Sequence, residues 1–402
     1  MNKEVTNSII LEIAKAIDIP DSAYQTAEKR YQDFGEWLER ADSSCIIYNP
    51  HVFSQGSFRL GTVIHPINEK EEYDLDLACI LKDRLTKATH SQKKLKNIIG
   101  NEVESYRQYR QIEDKKEEKR RCWRLHYKDQ LKFHLDILPC IPEDVPSKIN
   151  IKEMMIESGS KELLAEEISK LTVAITDKEK QNFPIISNDW NISNPEGYAI
   201  WYESKMKLAE EFLRKQLLIE RVEKIDDLPT YKWKTPLQRV VQILKRHRDK
   251  MFLDVPSEMK PISIIITTLA AEAYQGESEV AEALGNILNR IPEFISSQGP
   301  RVPNPVNTKE DFADKWPTPE GQKLKLEKNF WNWLRQAQVD FNLIESTDDM
   351  DFIVEQTKVK YGLILDSDDL KKKIGTGVPS IIMKPKSHEI SKPAAKPWYK
   401  NL

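Results

Sequence analysis

The stretch that decides the fold runs from Gln55 to Leu81, QGSFRLGTVIHPINEKEEYDLDLACIL. Side chains alternate along a strand, so Asp74 and Asp76 share one face while Tyr73, Leu75 and Leu77 turn the other way, into a core. Two carboxylates side by side repel each other, and a divalent cation between them removes the repulsion. Ahead of them lies a serine in a glycine-bounded turn. Gly56 and Gly61 permit close approach of backbone N–H groups to phosphates, and Ser57 offers its hydroxyl to a phosphate oxygen. The pattern reads as a magnesium site beside a phosphate-binding turn.

A third acid, Asp136 in KFHLDILPCIP, joins the pair if its strand lies beside theirs in register, because Leu135 and Ile137 then face the core. Three converging acids without metal either repel or take up protons. Two magnesium ions, with manganese as a substitute, would let them activate an attacking hydroxyl and stabilise in-line displacement at phosphorus, with Asp136 nearest the hydroxyl.

Around this centre, Tyr24, Ala27, Tyr31, Phe34 and Leu38 recur at helical spacing, which predicts a spine helix from Ser22 to Ala41 capped by Asp21 or Ser22. SCIIYNPHVFSQGSFRLGTVI, EYDLDLACIL and WRLHYKDQLKFHLDILPCIP, the last broken by a Lys128-Asp129 turn, supply a mixed sheet. The charged run DKKEEKRR, Asp114–Arg121, reads as the solvated end of a helix. Beyond Asp177 the patterns are helical throughout. Thr235 and Pro236 cap one helix, whose buried stripe is Leu237, Val240, Val241 and Leu244, with Lys245 at the stripe's edge, bordering a cleft. The last helices are expected around Leu324–Phe341 and Ser367–Lys373. The resulting division is 1–185, 186–375 and a flexible tail, 376–402.

The 402 residues, 39% hydrophobic and 31% charged, carry enough apolar material for a packed core. A net charge of -3 gives no global attraction to long nucleic acid, so any polyanion site must be local. The apolar runs are too short for a membrane span, and the N-terminus lacks a signal-peptide layout, so a cytoplasmic chain is the expectation. Cys45, Cys79, Cys122 and Cys140 show neither a CxxC pair nor zinc spacing and read as mostly buried thiols.

GSFRLGT, EYDLDL and FHLDILP resemble the G-S, D-x-D and third-aspartate motifs of the polymerase-beta-like nucleotidyltransferases. SQGSFRLGTVI, NPEGYAIWYE, LKRHRD, ISIIITTLA and NPVNTKEDFADKW narrow the resemblance to the bacterial cGAS/DncV-like nucleotidyltransferases, over roughly residues 20–370. That resemblance implies an α+β fold, with a catalytic lobe built on a mixed sheet and a C-terminal helical lobe of the oligoadenylate-synthetase type. It implies Asp74, Asp76 and Asp136 as catalytic metal ligands for two magnesium ions, and Gln55, Gly56, Ser57, Lys245 and Ser263 as nucleotide-binding residues. The implied reaction joins nucleoside triphosphates, ATP at least and GTP among the candidates, into a cyclic di- or trinucleotide that an effector protein reads in antiphage (CBASS) defence, with CBASS accessory proteins as possible partners. Animal relatives sense DNA through a His/Cys zinc insertion that has no counterpart here, so no DNA activator is expected. A template-independent transferase acting on RNA or protein is the alternative enzyme, and a nucleotide-sensing module without catalysis the alternative outside enzymes. The near-neutral charge speaks against the first and the three acids against the second.

Overall fold

The computed structural model describes residues 3–68, 72–128, 132–219, 234–366, 368 and 370. Helices α1 (Lys3–Ile17) and α2 (Asp21–Glu39) lead into β1 (Pro50–Ser54), the single turn α3 (Gly56–Arg59) and β2 (Tyr73–Leu81). Next come α4 (Gln92–Tyr109), β3 (Glu117–Glu118), β4 (Trp123–Tyr127), β5 (Phe133–Pro142), α5 (Val145–Glu157), α6 (Glu162–Lys170), β6 (Val173–Ile175) and β7 (Asn191–Ser193). The rest comprises α7 (Pro195–Ile219), α8 (Pro236–Met251), α9 (Ser263–Ala273), α10 (Val280–Ser297), the hairpin β8 (Pro303–Asn304) and β9 (Asn307–Asp311), α11 (Pro319–Lys323), α12 (Leu326–Ser346) and α13 (Met350–Tyr361).

One mixed sheet runs in the order β1-β2-β5-β4-β3, with β2 and β5 parallel at its centre and β6 continuing from the far end of β5 to β7. The alternation in EYDLDLACIL and KFHLDIL sets its faces. Leu75, Leu77, Leu135 and Ile137 are buried beneath the sheet against Phe34 and Leu38 of α2 and Leu95 and Val103 of α4, which leaves the acids on the opposite face. A second core joins α8, α9, α10 and α12. Ile9, Ile10, Ile13 and Ile17 of α1 belong to it, as do Ile151 and Met155 of α5 and Ile168 of α6. The division of the two cores therefore does not follow the chain at residue 185: the first helix and the pair after β5 return to the helical side.

Several local expectations change. Helix α2 begins at Asp21 after Pro20, with no side-chain cap; Asp21 instead lies in the first turn, where its charge suits the helix dipole. The DKKEEKRR run is not a helix end, since α4 stops at Tyr109 and Glu117–Glu118 pair with β4 as an edge strand. Lys96 explains the turn: its buried ammonium donates to the Lys119 and Arg120 carbonyls at 2.6 and 3.0 Å and draws the run onto the sheet. The second half is not wholly helical, because NPVNTKED forms the β8–β9 hairpin. Helix α13 had no counterpart in the sequence pattern, and of its apolar residues only Ile353 and Tyr361 are buried, together with Thr357. Most of Ser367–Lys373, all of 376–402, and Asp129 of the expected turn lie outside the described residues. Cys45, Cys79 and Cys140 are buried free thiols, with Cys122 partly exposed. Among the described residues no helix is long and apolar enough to cross a membrane.

Candidate active site

Two rungs of side chains cross the central strands on the face opposite the core. In the first, Asp76 of β2 stands directly beside Asp136 of β5, which stands opposite Arg124 of β4. In the second, Asp74, His134 and His126 repeat the arrangement two residues earlier along β2 and β5. Parallel pairing of β2 with β5 is what turns three separated aspartates into one cluster.

Each acid has a different environment. Asp136 accepts a two-pronged bond from Arg124, whose Nε and Nη2 both lie 2.6 Å from its oxygens; that bond raises the guanidinium pKa further. Asp74 is open, its side chain 60% exposed, and its Oδ1 lies against His134 Nε2. Burial pushes the Asp76 carboxyl up to about 7, and the neighbouring Asp74 and Asp136 charges push in the same direction. The Arg124 and Lys245 charges pull it down only in part. The donor set is three carboxylates converging from adjacent strands, the oxygen chemistry that hard divalent cations take, and a cation there would return Asp76 to its ionised form. The residues present thus fit a divalent metal: Asp74 and Asp136 converge with His134 closely enough to hold an ion, and Asp76 stands beside Asp136 in the register.

The turn before β2 meets the acids from the side. Gln55 donates its N–H to the Asp76 carbonyl at 2.8 Å, anchoring the turn to the strand. Gly56 has φ +65°, and a Cβ there would fall 2.2 Å from Asp76 Oδ2, so only glycine fits. Ser57 follows in the same turn, half-buried, its carbonyl accepting from the Thr62 N–H at 2.9 Å. Gly61 serves a different purpose from the one its spacing suggested. Its N–H is spent on the Phe58 carbonyl, and a Cβ would lie 2.5 Å from Gln238 Nε2 of α8, so it makes room for the helical lobe rather than for a phosphate.

Helix α8 approaches from that lobe. Thr235 caps it in a reciprocal capping box with Gln238, and Leu237, Val240, Val241 and Leu244 are buried as the periodicity predicted. The LKRHRD residues Lys245, Arg246, His247 and Arg248 are also all buried. Lys245 donates to the Thr62 carbonyl at 2.9 Å, and burial pulls its pKa down to about 8, with Arg248 adding to the drop and Asp249, Asp74 and Asp76 opposing it. The ammonium therefore stands within electrostatic reach of the acids from the other side of the molecule. Ser263, first residue of α9, accepts from Arg248 Nη1 at 2.9 Å, one helical turn beyond Lys245. Tyr198 and Tyr202 are core residues, Tyr198 sharing a 2.8 Å hydrogen bond with Thr268.

Sequence reading passed over Arg124, His126, His134 and Arg248. The signal for His134 was present, since it alternates with Asp136 in FHLDI. Arg124 had no such signal, because only the β4–β5 register brings it to Asp136.

Residues 50–139 match the family described as the nucleotidyltransferase domain of cyclic GMP-AMP synthase DncV-like proteins. A c-di-GMP synthase of Roseivirga ehrenbergii is 28% identical over 329 residues, 81% of this chain and 76% of that protein. The cyclic dinucleotide synthase CdnG of Bradyrhizobium diazoefficiens is 22% identical over 342 residues, 80% of this chain and 73% of that protein. The solved structure of that CdnG in complex with GTP superposes with a TM-score of 0.62 at 19% identity, covering 92% of this chain and 97% of that one. With the aspartate rungs, the glycine turn and the helical lobe all in one fold, and a DncV-like nucleotidyltransferase domain matched at residues 50–139, the chain is a nucleotidyltransferase enzyme similar to the bacterial cGAS/DncV-like nucleotidyltransferases.

Proposed function

We propose that the chain condenses nucleoside triphosphates into a cyclic dinucleotide, with GTP among its substrates, and releases pyrophosphate at each bond formed. The placement of Asp76 beside Asp136, with Lys245 facing them from the helical lobe, carries this reading. The names of the two relatives support the dinucleotide product and the guanine base.

Asp74, Asp76 and Asp136 would hold two magnesium ions, which when bound polarise the phosphoryl oxygens and lower the pKa of the attacking hydroxyl. The protein's own parts do the rest. Asp136 faces the acceptor ribose hydroxyl, and loading of a cation on it competes with Arg124, which holds both its oxygens. Gly56 leaves the space beside Asp76 clear. Ser57 with Gln55 lines the triphosphate on the sheet side; Lys245 and the Arg248–Ser263 pair meet it on the helical side. A positive charge brought from a separate lobe fits a donor triphosphate, whose charge exceeds what two divalent ions neutralise. The product is read as a signal for an effector protein in antiphage defence, made by a cytoplasmic enzyme.

Incubating the purified chain with all four labelled triphosphates and magnesium should yield a phosphatase-resistant product whose mass is that of a cyclic dinucleotide. Asp74→Asn with Asp76→Asn should abolish it while the fold persists by circular dichroism. A ladder of linear, phosphatase-sensitive oligomers on added RNA would overturn the reading in favour of a terminal transferase.

A further inference from the structure

Next to the three acids, and separate from the role proposed for them, lies a second constellation of metal-ligand type. Glu72 precedes β2 on the Asp74 face, and its carboxylate receives two imidazoles: His126 Nδ1 lies 2.9 Å and His134 Nδ1 3.4 Å from the same oxygen, Oε2. His126 and His134 stand opposite each other on β4 and β5, with ring centroids 5.8 Å apart. One ligand atom from each of the three side chains lies within 4.8 Å of the others. Ligands about 2.0–2.2 Å from a tetrahedral zinc ion sit roughly 3.3 Å from one another, close to the two nitrogen–oxygen spacings seen here.

The far nitrogens make the case stronger than convergence alone. His126 Nε2 lies 3.3 Å from Glu117 Oε1 of the edge strand β3, and His134 Nε2 lies against Asp74 Oδ1. Each imidazole thus aims one nitrogen inward at a shared carboxylate and the other outward at a second carboxylate. That is the outer arrangement which orients a metal-bound histidine and selects its tautomer. The neighbouring cation on the same face of β4, Arg124, is engaged by Asp136 and leaves the cluster uncrowded. Side-chain exposures of 27% for Glu72, 22% for His126 and 12% for His134 leave a path from solvent and room for a fourth, water ligand.

We propose that Glu72, His126 and His134 form a zinc site, distinct in ligand chemistry from the all-carboxylate site beside it. Two imidazoles and one carboxylate favour zinc over magnesium, which takes oxygen ligands in octahedral geometry. His134 joins the two sites. With Nδ1 on the ion, its Nε2 carries the proton and donates to Asp74, so occupancy of the histidine site fixes the carboxylate at the mouth of the acid cluster.

The test uses the full chain, stripped with a chelator and returned to saturating magnesium, titrated with zinc chloride by calorimetry and with cobalt chloride by visible absorption. One zinc per chain should bind, and cobalt should give the intense visible bands of a tetrahedral nitrogen–oxygen site. Glu72→Gln and His126→Gln should each weaken zinc about a hundredfold or more and remove the cobalt bands, whereas Asp74→Asn with Asp76→Asn should retain zinc with a loss of about tenfold. Folding of every variant is followed by thermal melting, and the cobalt spectrum reports ligand type independently of stability. Absence of zinc binding at micromolar concentrations would show a metal-free histidine–carboxylate network and overturn the proposal. Loss of zinc in the aspartate variant with retention in His126→Gln would place the ion on the acids and overturn it equally. Neither result depends on what the enzyme synthesises.

Discussion

At the scale of single residues, Asp76 shows what the metal-free site costs. Its carboxyl titrates near 7 in the folded chain, raised by burial and by two neighbouring acids, against 3.8 when free. Below about pH 4 it is protonated whether the chain is folded or not, so nothing is lost there. As pH rises from about 4 to 7, only the unfolded chain releases the proton easily, and stability falls by a few kcal/mol at most, at about 1.36 kcal/mol for each pH unit of difference. In chelator, Asp76→Asn should therefore melt higher than the wild type at pH 8 and level with it near pH 4. Added magnesium should close the gap at pH 8 by stabilising only the wild type. Equal melting temperatures at pH 8 in chelator would show that Asp76 is not the strained acid.

At the scale of elements, α8 does more than carry a buried stripe. Its polar face follows the irregular segment after the glycine turn and satisfies its carbonyls one after another. Gln238 donates to Leu60 at 3.0 Å, Lys245 to Thr62 at 2.9 Å, Gln242 to Val63 at 2.7 Å, and Arg246 to His65. With α8 packed over the buried Leu60, Thr62 and Val63, its polar side chains supply the donors that water would otherwise give their carbonyls. Gln242 is fully buried and also donates to Asp18 at 3.0 Å, where Arg239 joins it at 2.9 Å. Gln242→Leu fills the same space and removes both bonds; Asp18 keeps Arg239 and Lys234, so the stranded acceptor is the Val63 carbonyl and the cost should be about 1–3 kcal/mol. Chemical denaturation measures this; an unchanged midpoint would mean that water replaces the amide.

At the scale of the whole molecule, Lys245 joins the lobes and faces the acids. Its position at the edge of the α8 stripe was legible from spacing. Its burial was not, and the consequence for experiment is concrete. Truncation to alanine would leave a cavity and an unpaired Thr62 carbonyl, mixing stability with binding. Lys245→Met fills the space and removes the charge, so that the Thr62 bond alone is lost from the fold. It should weaken a non-hydrolysable triphosphate analogue by roughly tenfold to a hundredfold, the worth of a charge-assisted bond of about 1.5–3 kcal/mol, while melting within a few degrees of the wild type. Calorimetric titration in magnesium decides it: equal affinities would leave Lys245 a bridge between lobes and nothing more.

The sequence by itself determined what local periodicity controls. Alternation in EYDLDL and FHLDI put the acids opposite the core, and the 3.6-residue spacing in LQRVVQILK set the buried side of α8. It could not supply pairings that depend on which strand lies beside which. The Asp136–Arg124 bond, the Glu72–His126–His134 cluster and the role of Gly61 against Gln238 arise from register and from lobe packing, between residues distant in the chain. The same holds for α1, whose isoleucines find their partners in the core of the helical side. An apolar face states that it must be covered, and a buried charge that it must be paired; only the tertiary structure decides by what, because that choice is made by contacts the chain's local order does not encode.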